Sequence, residues 1–203
     1  MKTDDIDHDL ITRFESGPPQ AMEDIVERYE GPIFNFLLRM CGHVQDAEDV
    51  TQETFLSAFR SLPELREKTK LRNWLFRIAS RACLKKRRKK KFEPHKEIPL
   101  EALSDRMGSR GKDEIRDWSS DPAGDLLRSE LRQVLEEAIK SLPRKYRLVF
   151  NLRDLSGFDT EETAEILGIT TQSVKTRLHR ARLYLRQRIS RHYLDGESHV
   201  RNL

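Results

Sequence analysis

The 203 residues carry 38 Lys and Arg against 34 Asp and Glu, a net charge of +4, with 36% hydrophobic and 35% charged. That apolar share is well below the roughly 45–50% of an average globular chain, which argues against one large core and for small helical domains. No run of about 20 apolar residues spans a bilayer, MKTDDIDHDL lacks the basic and apolar parts of a signal peptide, and Cys41 and Cys83 are too few for a disulfide framework or a zinc set, so the expectation is a reduced, cytoplasmic protein.

Taken in chain order, the periodicity is helical and no segment alternates convincingly with a period of two. Residues 5–16 predict a first helix with Leu10, Ile11 and Phe14 inward, ended by Gly17-Pro18-Pro19. A second runs from about 20 to 40, apolar at Met22, Ile25, Val26, Ile33, Phe36, Leu37 and Met40, and Pro32 is expected to bend or interrupt it. A third, 46–61, turns Ala47, Val50, Thr54, Ala58 and Phe59 to one side and Asp46, Glu48, Asp49, Gln52 and Glu53 to the other. Residues 1–64 hold 14 acids and 5 bases, a net of −9, whereas residues 65–91 hold 13 bases and 1 acid, a net of +12. Within that basic block a fourth helix, 71–91, starts with Trp74, Leu75, Ile78, Ala79 and Ala82 inward and ends as seven consecutive cations from Lys85. Trp74 and Phe76 have two readings, base stacking or core packing.

From 92 to 124 the periodicity disappears among Pro94, Pro99 and Pro122. The stretch is too long for an ordinary connection inside one compact domain and marks a boundary. Beyond it come helices over 125–141, with Leu127, Leu131, Val134, Leu135 and Ile139 inward, and 144–155, with Tyr146, Val149, Phe150 and Leu152 inward. Gly157 turns the chain into 160–167, and a last helix runs from 171 to about 191. The fold class is therefore all-α: two small helical domains, 5–91 and 125–191, joined by a flexible linker, 92–124.

The segment TEETAEILGITTQSVKTRLHRARLYLRQRI has the anatomy of a DNA-binding helix-turn-helix. Asp159 or Thr160 can cap its first helix, with Glu162 placed for a capping box. Ala164 is small where the helices cross, Gly168 suits a left-handed turn, and Ile169 fills the angle. Val174, Leu178, Ala181 and Leu185 make the inward stripe, and Gln172, Ser173, Lys175, Thr176, His179, Arg180 and Arg182 lie outside it. Such a helix can set its N-terminal residues against base edges in a major groove. Two cationic patches far apart in sequence, 65–91 and 173–191, fit a polyanion held at two places.

The succession of DAEDVTQETFLSAFRSL, LRNWLFRIASRACLKKRRKKK, a linker, and LPRKYRLVFNLRDLSGFDTEETAEILGITTQSVKTRLHRAR resembles the extracytoplasmic-function (ECF) group of bacterial RNA polymerase sigma factors, over residues 5–91 and 125–190. The halves correspond to that family's domains two and four, and no counterpart of the domain between them is present. The resemblance implies a promoter-specificity subunit with no cofactor. Its acidic helix, through Asp49, Gln52 and Glu53, would dock on the β′ clamp helices of core RNA polymerase, and its second domain on the β flap. Arg66, Lys68 and Lys70, followed by Arg72, Asn73 and Trp74, would meet a flipped base of the −10 element, and Lys85, Arg87 and Arg88 its phosphates. The helix-turn-helix would read the −35 element through Thr171, Gln172, Ser173, Lys175, Thr176, His179, Arg180 and Arg182. An anti-sigma factor is a further implied partner. The 66–70 loop, REKTK, has no aromatic or glycine to shape a base pocket, which implies limited melting power and a need for good promoters.

No glycine-rich phosphate loop, HExxH or nucleophile–base pair supports an enzyme. A stand-alone operator-binding regulator predicts tight DNA binding without polymerase and a self-associating surface. A non-specific RNA-binding or adaptor module predicts that changes at 175–182 only weaken binding uniformly. The acidic helix fits neither alternative.

Overall fold

The computed structural model describes residues 3–65, 70–89 and 134–200, with 3–5, 15, 16, 18, 19, 64, 87–89 and 192–200 by backbone alone. The first half contains α1 (Thr3–Ser16), α2 (Pro18–Cys41), α3 (Val44–Ser61), a 3-10 turn (Leu62–Glu64) and α4 (Leu71–Lys89). The second contains α5 (134–141), α6 (Arg144–Phe150) running into a π turn (Asn151–Leu155), α7 (Thr160–Leu167) and α8 (Thr171–Val200). No strand occurs among the described residues. The expected linker and the start of the 125–141 helix lie outside them.

Pro18 and Pro19 begin α2 rather than merely ending α1, because the first helical positions need no N–H. The helix then continues through Pro32, contrary to expectation. Pro32 is exposed, so the carbonyl deprived of its intrahelical bond lies on the solvent side. Gly42, at φ +80°, closes the helix in the left-handed conformation that glycine adopts without strain. In α3 the buried face is Ala47, Val50, Thr51, Thr54, Phe55 and Ala58. Phe59, expected inward, is 47% exposed and rests edge-on against Phe14, centroids 6.2 Å apart. Phe55 fills the core instead, since it adjoins Thr54 and Ala58 on the helical surface and Phe59 lies a further part-turn round.

The largest core joins Ile33, Phe36, Leu37 and Met40 of α2 to Val50 of α3 and Leu71, Leu75, Phe76 and Ala79 of α4. Cys41 and Cys83 are buried in it as free thiols. It does not stop at the first half: Leu148, Leu152, Phe158 and Ile166 belong to the same cluster. The two helical domains therefore share packed apolar residues, and Phe76 is the reason. Its ring is fully buried between Phe36 at 5.3 Å and Phe158 at 4.8 Å, both edge-to-face. Each such aromatic pair adds about 0.5–1.5 kcal/mol beyond the burial of its area. Two smaller clusters, Ala138, Leu142, Tyr146, Ala181 and Leu185, and Val149, Ala164, Val174 and Leu178, hold the second half together.

Polar contacts complete the seam between the halves. The Asn151 side chain donates to the Phe36 carbonyl at 3.0 Å, Arg77 meets Glu165 at 2.8 Å, and Lys70 lies 3.7 Å from the same carboxylate. Asp7 of α1 is buried and accepts from the Tyr29 hydroxyl and, at 3.1 Å, from the Arg72 backbone N–H, which fixes the first turn of α4. Burial, and then the hydrogen bond to Asp7, push the Tyr29 phenol well above its ordinary range.

Candidate nucleic-acid interface

The helix-turn-helix forms as its residues dictate. Asp159 accepts from the Glu162 N–H at 2.7 Å while the Glu162 carboxylate accepts from the Asp159 N–H at 2.7 Å, a complete capping box. Gly168 takes φ +64°, and the Ile169 N–H returns to the Ala164 carbonyl at 3.0 Å. Thr170 caps α8 by accepting from the Ser173 N–H at 3.1 Å. Val174, Leu178, Ala181 and Leu185 are all buried. That anchors the opposite side outward: Thr171, Gln172, Lys175, Thr176 and His179 are exposed and Ser173 is half-buried. Four of the exposed side chains, Gln172, Lys175, Thr176 and His179, cover two turns of helix, and Gln172 and Thr176 also line a groove shared with Tyr146.

Three of the expected residues have side-chain partners within the chain, the Ser173 hydroxyl lying 2.9 Å from that of Thr170. Arg182 makes a two-pronged pair with Asp154 of the π turn, at 2.9 and 2.7 Å, which draws it toward α6 and raises its already high pKa. Arg180 donates to the Tyr146 hydroxyl at 3.3 Å.

On α4 the structure separates the expected residues. Trp74 is half-buried against the main core, and Asn73 is only 7% exposed. Arg72 stacks on Phe158 and donates to the Ser156 carbonyl. Phe76 is core, so its stacking reading is excluded in this arrangement. Arg66 and Lys68 lie outside the described residues, as do the side chains of Arg87 and Arg88.

The acidic face of α3 is exposed at Asp49, Gln52 and Glu53. Lys86 lies 3.1 Å from Asp46 and 2.9 Å from Asp49, and Lys85 lies 3.7 Å from Glu53. The hydrogen bond to Asp49, then that to Asp46, raise the Lys86 pKa against the opposing effect of its partial desolvation. Sequence reasoning missed Leu56, 59% exposed one turn beyond Gln52 on the same face. The signal was available: an apolar residue on the polar side of an otherwise well-patterned helix. It also missed Lys145, which lines a groove of about 300 Å³ beside α8 together with Tyr146 and Arg177.

Comparison with known proteins agrees with this geometry. Residues 25–93 match the Sigma-70 region 2 family and residues 132–185 the Sigma-70 region 4 family. The chain is 31% identical over 182 residues to the ECF RNA polymerase sigma factor SigW of Bacillus subtilis, covering 88% of this chain and 94% of that one. It is 29% identical over 185 residues to the RNA polymerase sigma-H factor of Pseudomonas aeruginosa, covering 90% and 93%. In fold it is similar to CnrH, solved in complex with the cytosolic domain of CnrY (TM-score 0.61, 24% identity, 91% of this chain and 97% of that one). It is likewise similar to RpoE of Bartonella quintana, solved with the anti-sigma factor NepR (TM-score 0.59, 21% identity, 83% and 96%). No described helix is long and apolar enough to cross a membrane. With both sigma regions in order on one all-helical chain, and a relative matched at this identity over almost its whole length, the chain belongs to the ECF group of RNA polymerase sigma factors and confers promoter-specific initiation.

Proposed function

We propose that the chain divides promoter-specific initiation among three faces. Asp49, Gln52 and Glu53, joined by Leu56, dock α3 on the β′ clamp helices of core polymerase. The start of α4 and the cations around it bind the −10 element. The pair α7 and α8 reads the −35 element with Gln172, Lys175, Thr176 and His179, and the second half leans on the β flap. The observation that carries this reading is the capped helix-turn-helix with an exposed polar stripe at the start of α8.

Polymerase supplies the chemistry of RNA synthesis, and this chain acts by binding. Arg72 is held against Phe158 and the Ser156 carbonyl of the second half, so its use at the −10 element requires the seam between the halves to open. The acidic face of α3 is exposed without any opening of the seam, so polymerase can engage it first. The same reading gives the protein a cytoplasmic location and an anti-sigma partner, as the RpoE of Bartonella quintana has in NepR.

The test is selection of active promoters from a library randomised at both elements, with wild-type holoenzyme and with Lys175→Ala and Trp74→Ala. The expected result is a changed preference confined to −35 positions for the first and to −10 positions for the second. Unchanged preferences in both variants would overturn the assignment.

A further inference from the structure

Two lysines near the end of α4 rest on the acidic side of α3. At about 100° per residue, Asp46, Asp49 and Glu53 fall within roughly 60° on the wheel of α3, while Gln52 and Leu56 occupy a neighbouring strip roughly 40° wide. The acidic strip is the one that α4 meets. The Lys86 ammonium sits between two carboxylates one turn apart, 3.1 Å from Asp46 and 2.9 Å from Asp49, and Lys85 reaches Glu53 at 3.7 Å.

These pairs stand at the surface. The Asp49 side chain is 56% exposed and that of Glu53 46%, so an incoming charged surface can reach both. Exposed pairs of this kind are weak, and a partner that brings its own cations can take the carboxylates over. An ammonium released in this way is a donor for another anion. Lys85 and Lys86 open the run of seven cations that ends α4 in the sequence, the part assigned to −10 phosphates. The same two ammonium groups thus have two competing sets of anions, the carboxylates of α3 and the phosphates of DNA.

We propose that Lys85 and Lys86 exchange anions when the chain joins polymerase. In the free chain they neutralise Asp46, Asp49 and Glu53, and they pass to promoter phosphates once a cationic surface of the polymerase takes those carboxylates. The exchange rests on the reading that α3 docks on core polymerase, and it adds a thermodynamic link between the two binding surfaces. Docking releases the lysines for DNA, and DNA that holds the lysines releases the carboxylates for docking, so each event strengthens the other by the same factor. Before docking, the pairs lower the charge that each surface offers, which weakens binding of the chain alone to either partner.

The experiment compares the full wild-type chain with the double variant Lys85→Gln, Lys86→Gln in two titrations. One uses core polymerase without DNA, and the other a promoter fragment with assembled holoenzyme across a salt series. Damage to the fold would weaken both affinities, whereas the exchange moves them in opposite directions. The variant is expected to bind core about two- to fivefold tighter, because the carboxylates lose their internal competitors. Its holoenzyme is expected to bind the promoter about fivefold more weakly, with the slope of log K against log salt reduced by about 0.9 for each lysine. In the background Asp49→Asn, Glu53→Gln, the gain on core is expected to shrink, since fewer carboxylates remain to be released. Core affinity equal to or below that of wild type would overturn the exchange, and so would unchanged promoter affinity and slope. Gln52→Ala, Glu53→Lys separates these failures from failure of the docking reading. If that variant binds core as wild type does, α3 does not dock and the exchange falls with it. If it loses core while the lysine variant gains nothing, docking stands and the exchange alone is wrong.

Discussion

The guanidinium of Arg72 lies over the ring of Phe158, its central carbon 3.8 Å from the ring centroid, and it also donates to the Ser156 carbonyl. A residue from the start of α4 is thereby held by the turn that leads into the helix-turn-helix. Cation–π contacts contribute about 0.5–1 kcal/mol when exposed and about 2 when desolvated. The Phe76–Phe158 pair and the Arg77–Glu165 bridge join the same seam.

Phe158→Ala removes a fully buried ring from the middle of that seam. The expected loss is about 3–5 kcal/mol of unfolding free energy in urea titration. A loss under 1 kcal/mol would mean that the two halves do not share a core in solution.

Glu165→Lys sets a cation against Arg77 and Lys70 in place of their shared carboxylate. The expected outcome is a larger radius of gyration by small-angle scattering, with far-UV circular dichroism unchanged. A scattering profile identical to wild type would show that the bridge does not hold the halves together.

Asp159→Ala breaks both bonds of the capping box on α7. The expected destabilisation is about 1 kcal/mol, read as a lower melting temperature. No change would show that tertiary packing alone defines the start of this helix.

Ionisation of Tyr29 should appear as a pH dependence. Its phenol is held above the ordinary value in the fold, chiefly by burial, so the unfolded chain loses that proton first as pH rises. The associated stability is complete below pH of about 10 and declines as pH rises beyond it. Unfolding free energies of wild type and Tyr29→Phe should therefore converge between pH 9 and about 11. A constant difference across that range would contradict the assignment.

Most of the architecture was legible because the helices of the second half are locally determined. The Asp159–Glu162 box, Gly168 and the stripe Val174, Leu178, Ala181, Leu185 need only sequence neighbours, and each stands where its spacing put it. What the sequence left open depended on distant partners. Phe76 has no inward direction until Phe158 arrives 82 positions later, and nothing near Asn151 in sequence announces its bond to the Phe36 carbonyl. Arg180 and Arg182 read alike in sequence, yet Tyr146 and Asp154 draw them to different neighbours on the α6 side. Charge runs name a polyanion but do not say which cations the chain keeps for itself.

The face of α3 that carries Asp49, Gln52 and Glu53 is exposed. The double variant Gln52→Ala, Glu53→Lys is therefore expected to keep its helicity and melting temperature and to lose co-elution with core polymerase. Normal co-elution would refute the role given to this face.

The most direct measurement is run-off transcription with the purified chain, bacterial core RNA polymerase and a pool of genomic promoter fragments. The expected result is a set of transcripts that start at defined sites, vanish without the chain, and share one upstream element at −35 and one at −10. DNA retained by the chain with no transcript produced would contradict the account and would point instead to an operator-binding regulator.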